Sequence, residues 1–181
     1  MTTWVRRGLA ALIVSVCASA TAQVAPLESI PTLDVTRYMG TWYEVANYPN
    51  RFQKDCVRDT TATYRLIDAE RIEVTNQCTH ADGKQDVAVG LARPAGAPAR
   101  LEVRFAPAWL SWLPMVWGDY WVIALADDYR YAVVGTPSRE YLWILSRTPS
   151  LAAADEQTIL AQLPSHGYDA SKLVRTPQTA R

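Results

Sequence analysis

The sequence predicts an all-β chain: an eight-stranded up-and-down antiparallel barrel with one C-terminal α-helix packed outside. Three observations predict it. Eight strand-like segments follow one another between Thr41 and Ser146, most of them joined by short turns. Only residues 150 to about 163 have helical character. Gly40 runs straight into a strand rich in aromatic and β-branched residues, with Trp42 two positions on, placed to plug the end of something closed. A barrel of eight strands is about wide enough to hold one small ligand.

The elements follow in order. A polar stretch that can make one turn of helix leads into Gly40, and residues 42–48 form the first strand. Residues 60–67 and 71–77 flank a polar turn at Asp68-Ala-Glu70, and Arg71-Ile-Glu-Val-Thr alternates as a half-buried strand does. Residues 84–93 follow the turn Ala81-Asp-Gly83, residues 94–99 read as a turn region, and residues 100–105 alternate strictly. Residues 120–125, 131–135 and 141–146 complete the eight. These last three strands are apolar on both faces, so something must cover their outside. The helix supplies that cover through Ile159, Leu160 and Leu163, with Ser150 the expected N-cap and Pro164 its end. The tail around residues 171–175 adds a short strand.

The chain has 181 residues, enough for one domain with a real core, and shows no repeat, linker or second domain. Lysines plus arginines equal aspartates plus glutamates at 18 each, so nothing points to nucleic acid. Seven Trp and nine Tyr against two Phe suit a protein that presents flat amphipathic rings to a ligand or an interface. Residues 1–22 read as a signal peptide: Arg6 and Arg7, an apolar run too short to span a bilayer, then Ala20-Thr21-Ala22. Removing them leaves residues 23–181 as the folded domain. Cys17 offers the alternative of a lipid anchor, although Val16 immediately before it fits a lipidation site poorly. Either way the protein is expected to be exported, in the periplasm or on the periplasmic face of the outer membrane. Export makes Cys56 and Cys78 an expected disulfide. The weak rival is a zinc site completed by His80 or His166.

With the strands placed, three features appear in order: Gly40-Thr-Trp42, Gly118-Asp119-Tyr120 opening the sixth strand, and Arg147 directly after the eighth. Together they resemble the lipocalin signature, of the bacterial outer-membrane lipoprotein and apolipoprotein D type. The resemblance implies that Arg147 packs over Trp42 at the closed end. It also implies that Tyr64, Asn76, Phe105, Tyr120 and Trp143 line the cavity. Strand alternation adds Ala46, Val74, Val103 and Val122. Asn76 is the informative one, because an amide among apolar residues can hydrogen-bond a carbonyl, hydroxyl or carboxyl of a greasy ligand.

The function expected is non-catalytic carriage of fatty acids, lysophospholipids or similar lipids; the resemblance adds a role in envelope maintenance. No cofactor motif, metal-ligand spacing or catalytic constellation appears, and Glu44 is the one inward-facing candidate acid. The alternatives are a lipocalin-like enzyme and a binder of another hydrophobic ligand such as a bilin. Residues 109–117 carry Trp109, Trp112 and Trp117 with no charge between them. The resemblance puts this connection at the open mouth. There it can dip into a membrane surface, cap the ligand, form a homodimer contact, or fold onto its own barrel.

Overall fold

The computed structural model describes residues 25–179; the expected leader and Cys17 lie outside them. Eight strands form the barrel: β1 (Gly40–Asn47), β2 (Arg58–Leu66), β3 (Ile72–Thr79), β4 (Gln85–Ala95), β5 (Ala97–Arg104), β6 (Gly118–Leu125), β7 (Tyr131–Gly135) and β8 (Leu142–Ser146). Sequential neighbours pair antiparallel, and β8–β1 with β1–β2 closes the ring. A one-turn helix α1 (Val35–Tyr38) precedes the barrel, α2 (Ala153–Gln162) follows it, and a short β9 (Val174–Arg175) pairs with β1. The turn region anticipated at residues 94–99 is tighter than expected. β4 continues to Ala95 and β5 begins at Ala97, so the two strands meet through Gly96 alone.

The apolar residues divide into two cores on opposite faces of the wall. The inner core holds Trp42, Tyr38, Tyr64, Ile72, Val74, Leu101, Val122, Val134 and Leu145. The outer core places Ile159 and Leu163 of α2 and its following turn against Tyr131, Val133, Leu142 and Ile144. This explains strands apolar on both faces: one side fills the barrel, the other buries the helix. Ser150 does not cap α2. Its carbonyl accepts the Thr148 hydroxyl at 2.7 Å, and Ala152, with an extended backbone, is the N-cap with no side-chain bond. The helix start is held instead by Arg130, which forks onto Asp155 at 2.8 and 2.6 Å.

Cys56 and Cys78 form the disulfide, with Cα atoms 5.6 Å apart. A plain hairpin would set Cys78 opposite a residue near 60, out of reach of Cys56. A bulge between Arg58 and Thr61, with Asp59 at a φ of 56°, brings Arg58 opposite Thr79 and returns the chain over β3. His80 lies beside the two sulfurs, but these are spent on each other, so the group cannot hold zinc as thiolates while the bond stands.

Candidate functional site

The closed end is built around Trp42. The Arg147 guanidinium lies 3.8 Å from the indole centroid and donates to the backbone carbonyls of Thr41 (3.0 Å) and Arg37 (2.7 Å). Trp42 Nε1 donates to the Tyr38 carbonyl at 2.9 Å. Gly40 is called for by its backbone: its φ of 92° lies in the left-handed region that favours glycine, whereas a Cβ there would meet Arg147 Nη1 only at ordinary contact distance, 3.5 Å. Every polar atom of this plug that the arrangement uses is paired, which is the condition for burying a cation beside an indole. Asp119 has no part in it. It is exposed on β6, opposite Glu102.

Above the plug sits a cluster of three phenols. Tyr64 donates to the Tyr120 hydroxyl at 2.8 Å, and the Tyr38 and Tyr120 hydroxyls are 2.7 Å apart. Burial raises all three phenol pKa values, so they stay protonated at any physiological pH. Three protons serve two hydrogen bonds within the cluster, and one proton remains for a further acceptor. Tyr38 is a functional residue that alternation could not find, because it comes from α1, outside the barrel strands.

The inward faces loosen toward the other end. Val74 and Val122 are buried near the floor, whereas Asn76, Val103, Tyr120 and Trp143 are only partly buried, and Ala88 opposite Asn76 is exposed. Asn76 Oδ1 is itself enclosed and has no hydrogen-bond partner among the described residues. Phe105, just past β5, lies against Gly90, where a Cβ would fall 2.7 Å from the ring and from the Arg104 carbonyl. Glycine at 90 is what lets this ring lie on the wall at the rim. So Tyr64, Val74, Asn76, Val103, Tyr120, Val122 and Trp143 share the inner side, with Phe105 at its edge.

Ala46 does not belong with them. A bulge between Glu44 and Ala46 shifts the β1–β8 register, so Ala46 pairs with Ile144 and joins the outer core under α2. Simple parity fails past such a bulge. The bulge also explains Glu44, whose carboxylate is buried where β1 and β2 part. It accepts from Gln53 Nε2 and from the Thr176 hydroxyl, both at 2.6 Å, and burial raises its pKa. The tail fills the gap: Gln178 donates to the Glu44 and Thr60 carbonyls, tying β1 to β2. Gln53 in turn accepts from Trp143 Nε1 at 2.9 Å, linking the 48–57 loop to the rim.

The connection between β5 and β6 leaves the mouth and folds back along the outer wall. Trp117, expected to meet a membrane, is half-buried there: Arg93 stacks on it at 3.9 Å and its Nε1 donates to the Ser111 carbonyl at 2.9 Å. Trp109 and Trp112 do project, at 73% and 75% exposure. The two histidines lie away from the inner face, His80 at the β3–β4 turn and His166 after α2.

A model of the lipocalin-like domain matches residues 33–178, nearly everything from α1 to the tail. The chain belongs to the lipocalin family. This lipocalin is 43% identical over 157 residues to temperature-induced lipocalin-1 of Arabidopsis thaliana, covering 84% of this chain and 83% of that protein. It is 37% identical over 170 residues to the outer membrane lipoprotein Blc of Escherichia coli K12, covering 93% and 92%. Among solved structures, insecticyanin from the tobacco hornworm Manduca sexta superposes with a TM-score of 0.68 over 87% of both chains, at 21% identity, a likeness of fold.

Proposed function

We propose that this lipocalin is a non-catalytic carrier of acyl lipids, fatty acids or lysophospholipids, in the cell envelope. The observation that carries the reading is Asn76: an enclosed amide oxygen with no partner among the described residues, on an inner face that apart from the phenol cluster is mainly apolar. That oxygen accepts, so it suits a ligand hydroxyl, such as a lysophospholipid glycerol, or a protonated carboxyl, on a long apolar remainder. The spare phenol proton below it suits a carbonyl or carboxyl oxygen. Each buried methylene adds roughly 0.8 kcal/mol, so an acyl chain needs few polar contacts. The outer-membrane relative supports an envelope location. Among the described residues no base on the inner face is paired with a nucleophile, and Glu44 is spent on Gln53 and Thr176.

Delipidated protein should bind oleate or a lysophospholipid with micromolar Kd or tighter, read by tryptophan fluorescence. Asn76→Leu should weaken a ligand with a polar head more than a plain alkane. A folded barrel that takes up no acyl lipid would sink the proposal.

A further inference from the structure

The 107–117 loop is ordered, and it covers a charge. Two 3-10 turns, Ala108–Leu110 and Pro114–Val116, shape it, and the bond from Trp117 Nε1 to the Ser111 carbonyl closes it. Neither turn has a buried residue. With Met115 at 85% exposure beside Trp109 and Trp112, the loop holds three large apolar side chains out into solvent. Folding gains nothing from that, which is the usual sign of a contact surface.

Between the loop, the outer face of β4–β5 and the β2–β3 turn runs a cleft of about 560 Å³, lined among others by Glu70, Arg71, Arg93, Arg104, Ser111 and Trp117. Two of its arginines are neutralised. Arg71 pairs with Asp68 at 2.5 Å and Arg93 with Glu102 at 2.7 Å. Arg104 differs. It is only 7% exposed, and among the described residues no carboxylate forms an ion pair with it. Its Nη1 donates to the Ala106 carbonyl, the Trp117 ring centroid lies 5.3 Å from its guanidinium, and its Nε is enclosed with no acceptor. A buried cation without a counter-ion is costly, and the cost is removed when a ligand brings the anion. The donor fork of a guanidinium matches phosphate oxygens. Exposed indoles beside it match the interfacial layer of a bilayer, where phosphates lie.

We propose that this cleft receives the phosphate of a phospholipid headgroup at a membrane surface, with Arg104 pairing the phosphate while Trp109, Trp112 and Met115 enter the interface. The site lies on the outside of the wall, separate from the cup. It rests on the reading of the protein as a lipid carrier only in supplying the surface from which cargo is lifted.

The test compares two vesicle types. One is made of phosphatidylethanolamine with phosphatidylglycerol. The other is a digalactosyl lipid given the same surface charge by cholesteryl hemisuccinate, free of both phosphate and acyl ligand. Wild-type protein should bind the phospholipid vesicles about tenfold more tightly, the equivalent of one charge-assisted hydrogen bond. Arg104→Gln should erase the difference, and Trp109→Ser with Trp112→Ser should weaken binding to both. Equal wild-type affinity for the two vesicles would overturn the proposal, and that comparison stands even if Arg104→Gln fails to fold. Saturable binding of inorganic phosphate without any preference for phospholipid vesicles would also overturn it, making the cleft a site for a free anion. Uptake of monomeric oleate from solution reports the cup separately. Its loss in the wild type would count against the carrier reading and leave the vesicle result standing.

Discussion

Replacing Tyr120 with Phe keeps the ring and removes one oxygen, and the phenol cluster makes that oxygen a hub. Tyr64 donates to it, and Tyr38 shares a hydrogen bond with it. Tyr38 and Tyr64 are 1% and 4% exposed, so without Tyr120 their hydroxyls are stranded away from water. Each stranded buried hydroxyl costs about 1–3 kcal/mol, so Tyr120→Phe should cost about 2–6 kcal/mol. Tyr64→Phe is the control. It removes a donor but leaves Tyr120 and Tyr38 bonded to each other, so it should cost about 0.5–1.5 kcal/mol, the worth of one net hydrogen bond. The assay is urea unfolding of both variants at neutral pH, followed by tryptophan fluorescence and by far-ultraviolet circular dichroism. Even the lower bound for Tyr120→Phe should lower Tm by roughly 4–8 °C in a chain of this size. If Tyr120→Phe is no more damaging than Tyr64→Phe, the two remaining hydroxyls re-pair, and the account of Tyr120 as a hub is wrong.

At the closed end, Trp42→Ala should cost about 3–5 kcal/mol as a core truncation, and Arg147→Ala should destabilise in the same direction. Their guanidinium–indole contact at 3.8 Å makes the effects non-additive, and strict additivity in a double-mutant cycle would contradict the stacking. Burial raises the Glu44 carboxyl above its ordinary range, so the folded state favours the neutral acid. The stability this group contributes is full below its unfolded value, near pH ~4.3, and is lost as pH rises through the raised folded value. Glu44→Gln removes that loss, so wild-type stability should fall relative to the variant as pH climbs toward neutrality. A gap that stays constant across a pH series of urea titrations would show that Glu44 does not titrate differently in the folded state.

The sequence by itself determined the barrel and its closed end. Alternation along β3 and β5 is a local property, and so is the approach of Gly40 to Trp42. Arg147 reached Trp42 as the resemblance implied, whereas Asp119 of the middle segment stands apart from both. Part of the inner face was legible for the same reason: where a strand runs without interruption, side chains alternate, and Val74 and Val103 needed no more than counting, while Asn76 came from the resemblance. Tertiary structure decided the rest. The bulges in β1 and β2 arise from what packs against them, α2 and the tail in one case and the disulfide loop in the other. They moved Ala46 to the outer core and brought Cys56 to Cys78. No local pattern announces Tyr38 as part of the cup floor, because its neighbours come from β2 and β6. The direction of the tryptophan loop was likewise open in the sequence, since it depends on Arg93 and Arg104 projecting outward from β4 and β5. Three indoles on one loop look alike in sequence; the wall they meet makes Trp117 a packing residue and leaves Trp109 and Trp112 in solvent.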